Sequence, residues 1–131
     1  MSKHRRLNGP TTITLYAVPP SLNKLMRMHW AAKSRLRSKY GNAVFALLSA
    51  KGWRFREKNN IPRASVKIIV YQRTRRLDQD NLIGGMKPLI DGMRDAGVIR
   101  NDSPAWIDFP APVQGVDREY PRVAITVEEL P

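Results

Sequence analysis

The 131 residues carry 23 Lys and Arg against 11 Asp and Glu, a formal net charge of +12, with 42% hydrophobic residues and no cysteine. That length supports one hydrophobic core rather than two ordinary domains, and the balance of apolar and charged residues is that of a globular chain, not a disordered one. The lack of cysteine excludes disulfides, iron–sulfur clusters, cysteine zinc sites and a thiol nucleophile and fits a reducing cytoplasm, while the basic excess favours a polyanionic partner such as nucleic acid.

Residues 1–10 read as a basic, mobile tail and 11–131 as a single domain. Met1-Ser2-Lys3-His4-Arg5-Arg6 is followed by no signal-type apolar region, and no apolar run approaches the roughly 18 residues of a membrane span, so the expectation is a cytoplasmic protein away from the membrane. Thr11 to Val18 alternates, with Ile13, Leu15 and Ala17 on one face of a strand that Pro19-Pro20 ends. From Trp30 to Ala50, Leu36, Tyr40, Val44, Leu47 and Leu48 recur at three- and four-residue spacing, the stripe of a helix stopped near Gly52. A basic loop over 54–63 leads to a second strand with Val66, Ile68 and Val70 on one face. Met86, Leu89, Ile90, Met93 and Ala96 form a second helical stripe closed at Ala96-Gly97. Trp106 to Phe109 is a short strand and Val123, Ile125 and Val127 alternate in a last one. The order β-α-β-α-β-β predicts an α+β domain, a mixed sheet packed against two helices.

Five of the eleven acidic residues, Asp78, Asp80, Asp91, Asp95 and Asp102, fall between positions 78 and 102, directly after the run Arg73, Arg75, Arg76. Carboxylates beside a basic run suit a polyanion held near a cation. If Asp78-Gln79-Asp80 is extended, both carboxylates leave the same side with Cα atoms about 6.6 Å apart. They then converge on one hard cation or hold one each of a pair, and magnesium suits such oxygen ligands because it keeps waters and takes substrate phosphate. Asp102 completes the cluster if the second helix folds back on the strand. Lys87, next to Pro88 in the first helical turn, either offsets charge at a phosphate or is an exposed lysine paired with Asp91 four residues on.

Leu77-Asp78-Gln79-Asp80-Asn81-Leu82, Lys87-Pro88-Leu89-Ile90-Asp91-Gly92 and Ala96-Gly97-Val98-Ile99-Arg100-Asn101-Asp102-Ser103 together resemble the RusA family of Holliday junction resolvases. Pro20-Ser21-Leu22-Asn23 resembles that family's N-terminal segment, so the resemblance spans nearly the whole chain. It implies a RusA-like nuclease domain over 11–131: a homodimeric, magnesium-dependent endodeoxyribonuclease, with manganese as a substitute metal, that cuts four-way DNA junctions symmetrically. By that resemblance Asp78, Asp80 and Asp102 are catalytic metal ligands, Lys87 is the catalytic lysine, and the setting is a bacterial or phage-infected cell. The sequence departs from the family pattern in two places. Ile83-Gly84-Gly85 adds three residues before Met86-Lys87, a loop or kink in place of a plain helical turn, and Asn101-Asp102 stands where paired aspartates are typical.

The Arg73, Arg75, Arg76 run is expected on DNA phosphates, with Lys87 beside it. Lys33, Arg35, Arg37 and Lys39 fit either phosphate contact or a solvated helix face. Trp30, Trp53 and Trp106 are expected to pack in the core, Asp91 and Asp95 to be helix-surface carboxylates, and His4 and His29 to be a tail and a loop residue. The alternative to the nuclease is a non-catalytic DNA- or junction-binding protein of the same fold. Less favoured is a basic scaffold or RNA-associated protein with a structural acidic patch.

Overall fold

In the computed structural model, which describes residues 8–131, the chain runs β1 (Thr11–Leu15), α1 (Leu22–Arg27), α2 (Trp30–Ala50), a 3₁₀ turn over Lys58–Asn60, β2 (Ala64–Gln72), α3 (Gln79–Gly85), α4 (Lys87–Asp95), β3 (Ile107–Asp108), β4 (Val113–Val116) and β5 (Arg122–Glu129). The expected α+β class with a mixed sheet stands, and the two long helical stripes are α2 and α4. The order β-α-β-α-β-β lacked three elements: α1, α3 and β4. Two of these helices are only six and seven residues long and hold single buried or few buried side chains, too short for a periodic stripe to register. Strand β4 carries Gly115 inside Val-Gln-Gly-Val, a weak strand signal.

The sheet runs β1-β5-β2, antiparallel at both steps, and β3 and β4 then share the far edge of β2, both parallel to it. β3 lies opposite Ala64 and Ser65, at the start of β2, whereas β4 lies opposite Ile69 to Gln72, at its end. The inward positions Ile13, Leu15, Val66, Ile68, Val70, Val123, Ile125 and Val127 are buried. They meet Tyr40, Val44 and Leu48 of α2 and Met86, Leu89, Ile90 and Met93 around α4, and Trp53, Leu82, Val98 and Ile99 close the same core. Helices α2 and α4 cross with their backbones nearly touching: a Cβ on Gly92 would lie 2.8 Å from the Gly41 nitrogen and 2.9 Å from the Arg37 carbonyl oxygen. Only glycine at both positions allows so close a crossing.

The basic tail expected over residues 1–10 lies mostly outside the described residues. Within it Asn8 is buried, its amide nitrogen donating to the Arg54 carbonyl oxygen at 2.9 Å and to Glu129 Oε2 at 3.0 Å. Arg56 donates to both Glu129 oxygens at 2.9 Å, so the end of β5 is anchored by a satisfied buried carboxylate.

Candidate functional site

The Asp78-Gln79-Asp80-Asn81 segment is not extended, which corrects the strand geometry expected for it. Asp78 is the N-cap of α3: its backbone is extended (φ −65°, ψ 160°) and its Oδ1 accepts from the Asn81 N–H at 2.9 Å, satisfying one of the open donors of the first turn. Asp80 sits inside that turn, where the positive end of the helix favours a carboxylate. Both are exposed. The two carboxylates thus share one helical turn, through a cap and not through a strand.

Asn81 joins this turn to the N-terminal half of the chain. Its Nδ2 donates to Asp78 Oδ2 at 3.3 Å and its Oδ1 accepts from the Asn23 N–H at 3.1 Å, at the start of α1. Ser21 caps α1 through its hydroxyl, accepting from the Lys24 N–H at 3.1 Å. The double glycine is the seat of this contact. A Cβ on Gly85 would overlap the Pro20 carbonyl oxygen and come within 3.0 Å of its carbon, and one on Gly84 would lie 2.8 Å from the Leu22 side chain. Ile83-Gly84-Gly85 is therefore the last turn of α3, and the chain passes through Met86 in a helical conformation (φ −77°, ψ −13°) straight into α4. It forms a jointed helix.

On its other side the segment is fixed by β4. The Leu77 N–H donates to Gln114 Oε1 at 2.9 Å and Gln114 Nε2 donates to the Leu77 carbonyl at 2.8 Å, while Gln72 Nε2 reaches the same Gln114 oxygen at 3.2 Å. Gln114 is a positioning residue that sequence reasoning passed over because its strand was not recognised. Between these anchors Arg73, Arg75 and Arg76 stand exposed. Among the described residues none of the three forms a salt bridge, and neither does Asp78, Asp80 or Asp102, whereas Asp91, Asp95, Asp117 and Glu129 all do.

Asp102 is exposed in the turn after α4. Neighbouring Asn101 is used locally, its Oδ1 accepting from the Ser103 N–H at 2.9 Å. Arg100 pins this turn to the start of β2, donating to the Ile61 carbonyl at 3.0 Å and the Asn59 carbonyl at 2.7 Å while its guanidinium lies 3.7 Å above the Trp106 ring. Asp78 is tied instead to the end of β2. That nine-residue strand is about 26 Å from first to last Cα. Among the described residues no three His, Asp or Glu side chains gather into a metal-holding group, so the expected convergence of Asp102 with Asp78 and Asp80 is not met.

Lys87 opens α4 with its side chain 69% exposed and its Nζ 3.5 Å from Asp91 Oδ2, the i,i+4 pair weighed for it from sequence. Asp91 itself is 8% exposed, contrary to the surface role expected for it. Its carboxylate also faces Arg37 at 4.0 Å and Arg94 at 3.9 Å. The close Gly41–Gly92 crossing explains the burial, since it brings α2 down beside this turn of α4. Asp95 stays exposed and pairs with Arg37 through two hydrogen bonds of 2.5 and 2.7 Å, which hold its carboxyl below the ordinary value. Of the tryptophans, Trp53 is buried and Trp106 lies under Arg100, but Trp30 is 74% exposed and does not pack in the core. His29 caps α2, its Nδ1 accepting from the Ala31 N–H at 3.2 Å.

Comparison with known proteins gives no matching family model and no matching curated relative.

Proposed function

We propose that the protein is a magnesium-dependent endodeoxyribonuclease that cuts four-way DNA junctions as a homodimer. What carries this reading is one stretch of chain: three exposed arginines, then two exposed carboxylates on one helical turn, none of them in a salt bridge among the described residues, in a chain of net charge +12. Exposed carboxylates beside so many cations would ordinarily be neutralised by them. Asp78 is held by Asn81 and not by a cation, so both carboxylates keep a charge that suits a metal ion, and the sequence resemblance of these positions to a junction resolvase points the same way.

The residues fit magnesium, which is commonly held by one or two carboxylates with the remaining ligands from water and substrate phosphate. Asp78 and Asp80 are the holding pair; Asp78 is preset by its cap to Asn81 and Asp80 by its place in the turn. Magnesium, when bound, acidifies an attacking water and offsets charge on the phosphate. Arg73, Arg75 and Arg76 hold the strand by its phosphates. Lys87 lies seven residues beyond Asp80, across the joint at Met86, at the start of α4. Its exposed side chain exchanges Asp91 for a phosphate oxygen and offsets charge near the scissile bond. A junction offers two equivalent strands, and a two-fold dimer matches that symmetry.

The second reading, a junction-binding protein without turnover, is favoured by the pairing of Lys87 with Asp91 and by the separate placement of Asp102. One experiment separates the two: incubation with a synthetic four-way junction with and without Mg²⁺, for the parent protein and Asp80→Asn. The nuclease reading expects symmetric nicking that requires Mg²⁺ and is lost in Asp80→Asn, which still binds the junction. Binding by the parent without cleavage supports the second reading.

A further inference from the structure

The three helices α1, α2 and α4 enclose a second feature, a cleft of about 340 Å³ lined by Met26 of α1, Lys33, Ser34 and Arg37 of α2, and Lys87 and Asp91 of α4. Three cations face one carboxylate there. Asp91 is at the floor, and by drawing Arg37 and Lys87 toward the same oxygen it keeps both cations turned into the cleft. Lys33 has no salt bridge among the described residues. Arg37 is also held by Asp95, so the cationic wall is fixed in place.

Trp30 does not line the cleft itself; it precedes Lys33 and Ser34, which do, by one helical turn on the same face of α2. A tryptophan 74% exposed is unusual, since so large an apolar surface is ordinarily covered. Met26, 68% exposed on α1, lines the cleft. The His29 ring lies 5.5 Å from that of Trp30, tilted by 36°, and borders one edge of it.

We propose that this cleft binds an unpaired nucleotide of a DNA single strand, with its base stacked on Trp30 and its phosphate among Lys33, Arg37 and Lys87. Aromatic platforms beside cationic grooves are the general means of holding single strands, because every base has a π-face and every unit has a phosphate. Duplex DNA has no such face to offer, its bases being stacked on one another. The volume sits at the small end of ligand pockets, about 300 to 1,000 Å³, and admits one nucleotide unit but not a helix. The buried Asp91 repels phosphate from the floor and leaves it at the cationic rim. The choice of DNA rests on the proposed function; the stacking and charge arguments do not. Lys87 then belongs to both sites and links a strand in the cleft to the turn of Asp78 and Asp80.

The test is binding of a fluorescein-labelled oligothymidine of about twelve nucleotides, followed by anisotropy in EDTA so that no cleavage contributes, with a duplex of the same length as comparator. Trp30→Ala is expected to weaken single-strand binding by about ten-fold and duplex binding by less than about two-fold. Trp30→Phe should keep most of the affinity, and Lys33→Gln should weaken single-strand binding and reduce its salt dependence. Trp30 is exposed, and unchanged thermal unfolding of the variants confirms their fold. Parent-like single-strand affinity in Trp30→Ala, or equal losses on single strand and duplex, overturns the proposal. Because cleavage is not read, absence of nuclease activity leaves this result standing, and a failed stacking test leaves the junction-cleavage experiment untouched.

Discussion

Gly85→Ala tests whether the Asp78–Asp80 turn depends on the docking of α1. A Cβ there overlaps the Pro20 carbonyl oxygen, a backbone atom that cannot rotate away, and crowds Ser21 at 3.3 Å. The added methyl raises helix propensity by at most about 1 kcal/mol. Overpacking against fixed atoms costs about 1–3 kcal/mol, and a backbone clash belongs at or beyond the upper end. The net expectation is a loss of about 2 kcal/mol, which at a urea slope of about 2 kcal/mol per molar lowers the unfolding midpoint by about 1 M. Gly84→Ala is the internal control. Its Cβ would come 2.8 to 2.9 Å from Leu22, whose Cδ atoms can rotate away but whose Cβ cannot, so a small shift of α1 is needed and the cost should be about 1 kcal/mol, less than at Gly85. If the strain is relieved by displacing α1, Gly85→Ala also breaks the Asn23 to Asn81 hydrogen bond and slows junction cleavage beyond its effect on stability. Equilibrium unfolding in urea, followed by circular dichroism, gives the comparison. A Gly85→Ala protein as stable as the parent, or a Gly84→Ala protein less stable than Gly85→Ala, would falsify the reasoning.

Replacing Arg75 and Arg76 with Gln should make the log–log salt dependence of junction binding shallower by about 1.8, two phosphates at about 0.9 each; an unchanged slope identifies them as a solvated face. Lys87→Ala is expected to slow single-turnover cleavage by about a hundred-fold. Junction affinity in EDTA should fall only modestly, and a parent-like cleavage rate removes Lys87 from the chemistry. Arg37, through its hydrogen bonds to Asp95, lowers that carboxyl below its ordinary 3.8, so the pair contributes stability above that value and loses it as pH falls through the lower folded one. With Asp95 45% exposed the contribution is under about 1 kcal/mol. Thermal unfolding of parent and Asp95→Asn should therefore differ near neutral pH and converge as the pH falls well below the ordinary 3.8. Burial pushes the Tyr40 hydroxyl up to about 12, so the stability from keeping it neutral, complete below about 10, is lost as pH rises from there to about 12; Tyr40→Phe should shift alkaline unfolding to higher pH.

Periodicity was a good guide wherever an element was long enough to show it. Tyr40, Val44 and Leu48, and likewise Met86, Leu89, Ile90 and Met93, are buried as their spacing requires. It failed on short elements, and the failure mattered most at Asp78-Gln79-Asp80-Asn81. The same letters that suggested an extended pair of carboxylates are a helix cap followed by its first turn, and Asn81 at the third position after Asp78 was the available sign. The inserted Ile83-Gly84-Gly85 was legible as a loop or a kink, where the structure has the last turn of α3; the reason for its glycines, the approach of Pro20, is a contact across more than sixty positions. Asp91 looked like a surface residue because one helix was considered alone; it is buried by a second helix brought close through Gly41. Trp30 is expected among the packing residues, yet it precedes the first buried turn of α2 and stays 74% exposed.

The pairing of β5 with both β1 and β2 also decides when the sheet can form. Thr11 lies opposite Val127 and Val66 opposite the same residue, so the centre of the sheet is completed by one of its last-made segments. During synthesis β1 has no neighbour, and β2 exposes one long edge, until Arg122–Glu129 leaves the ribosome. Helices α2 and α4 can meet earlier, but Ile13 on β1 and Val66 and Val70 on β2 join one core face only when β5 comes between their strands. Such a topology is high in contact order, folds slowly, and keeps an unpaired strand available to a second nascent chain. Refolding yield should accordingly fall as protein concentration rises, long before native stability is in question.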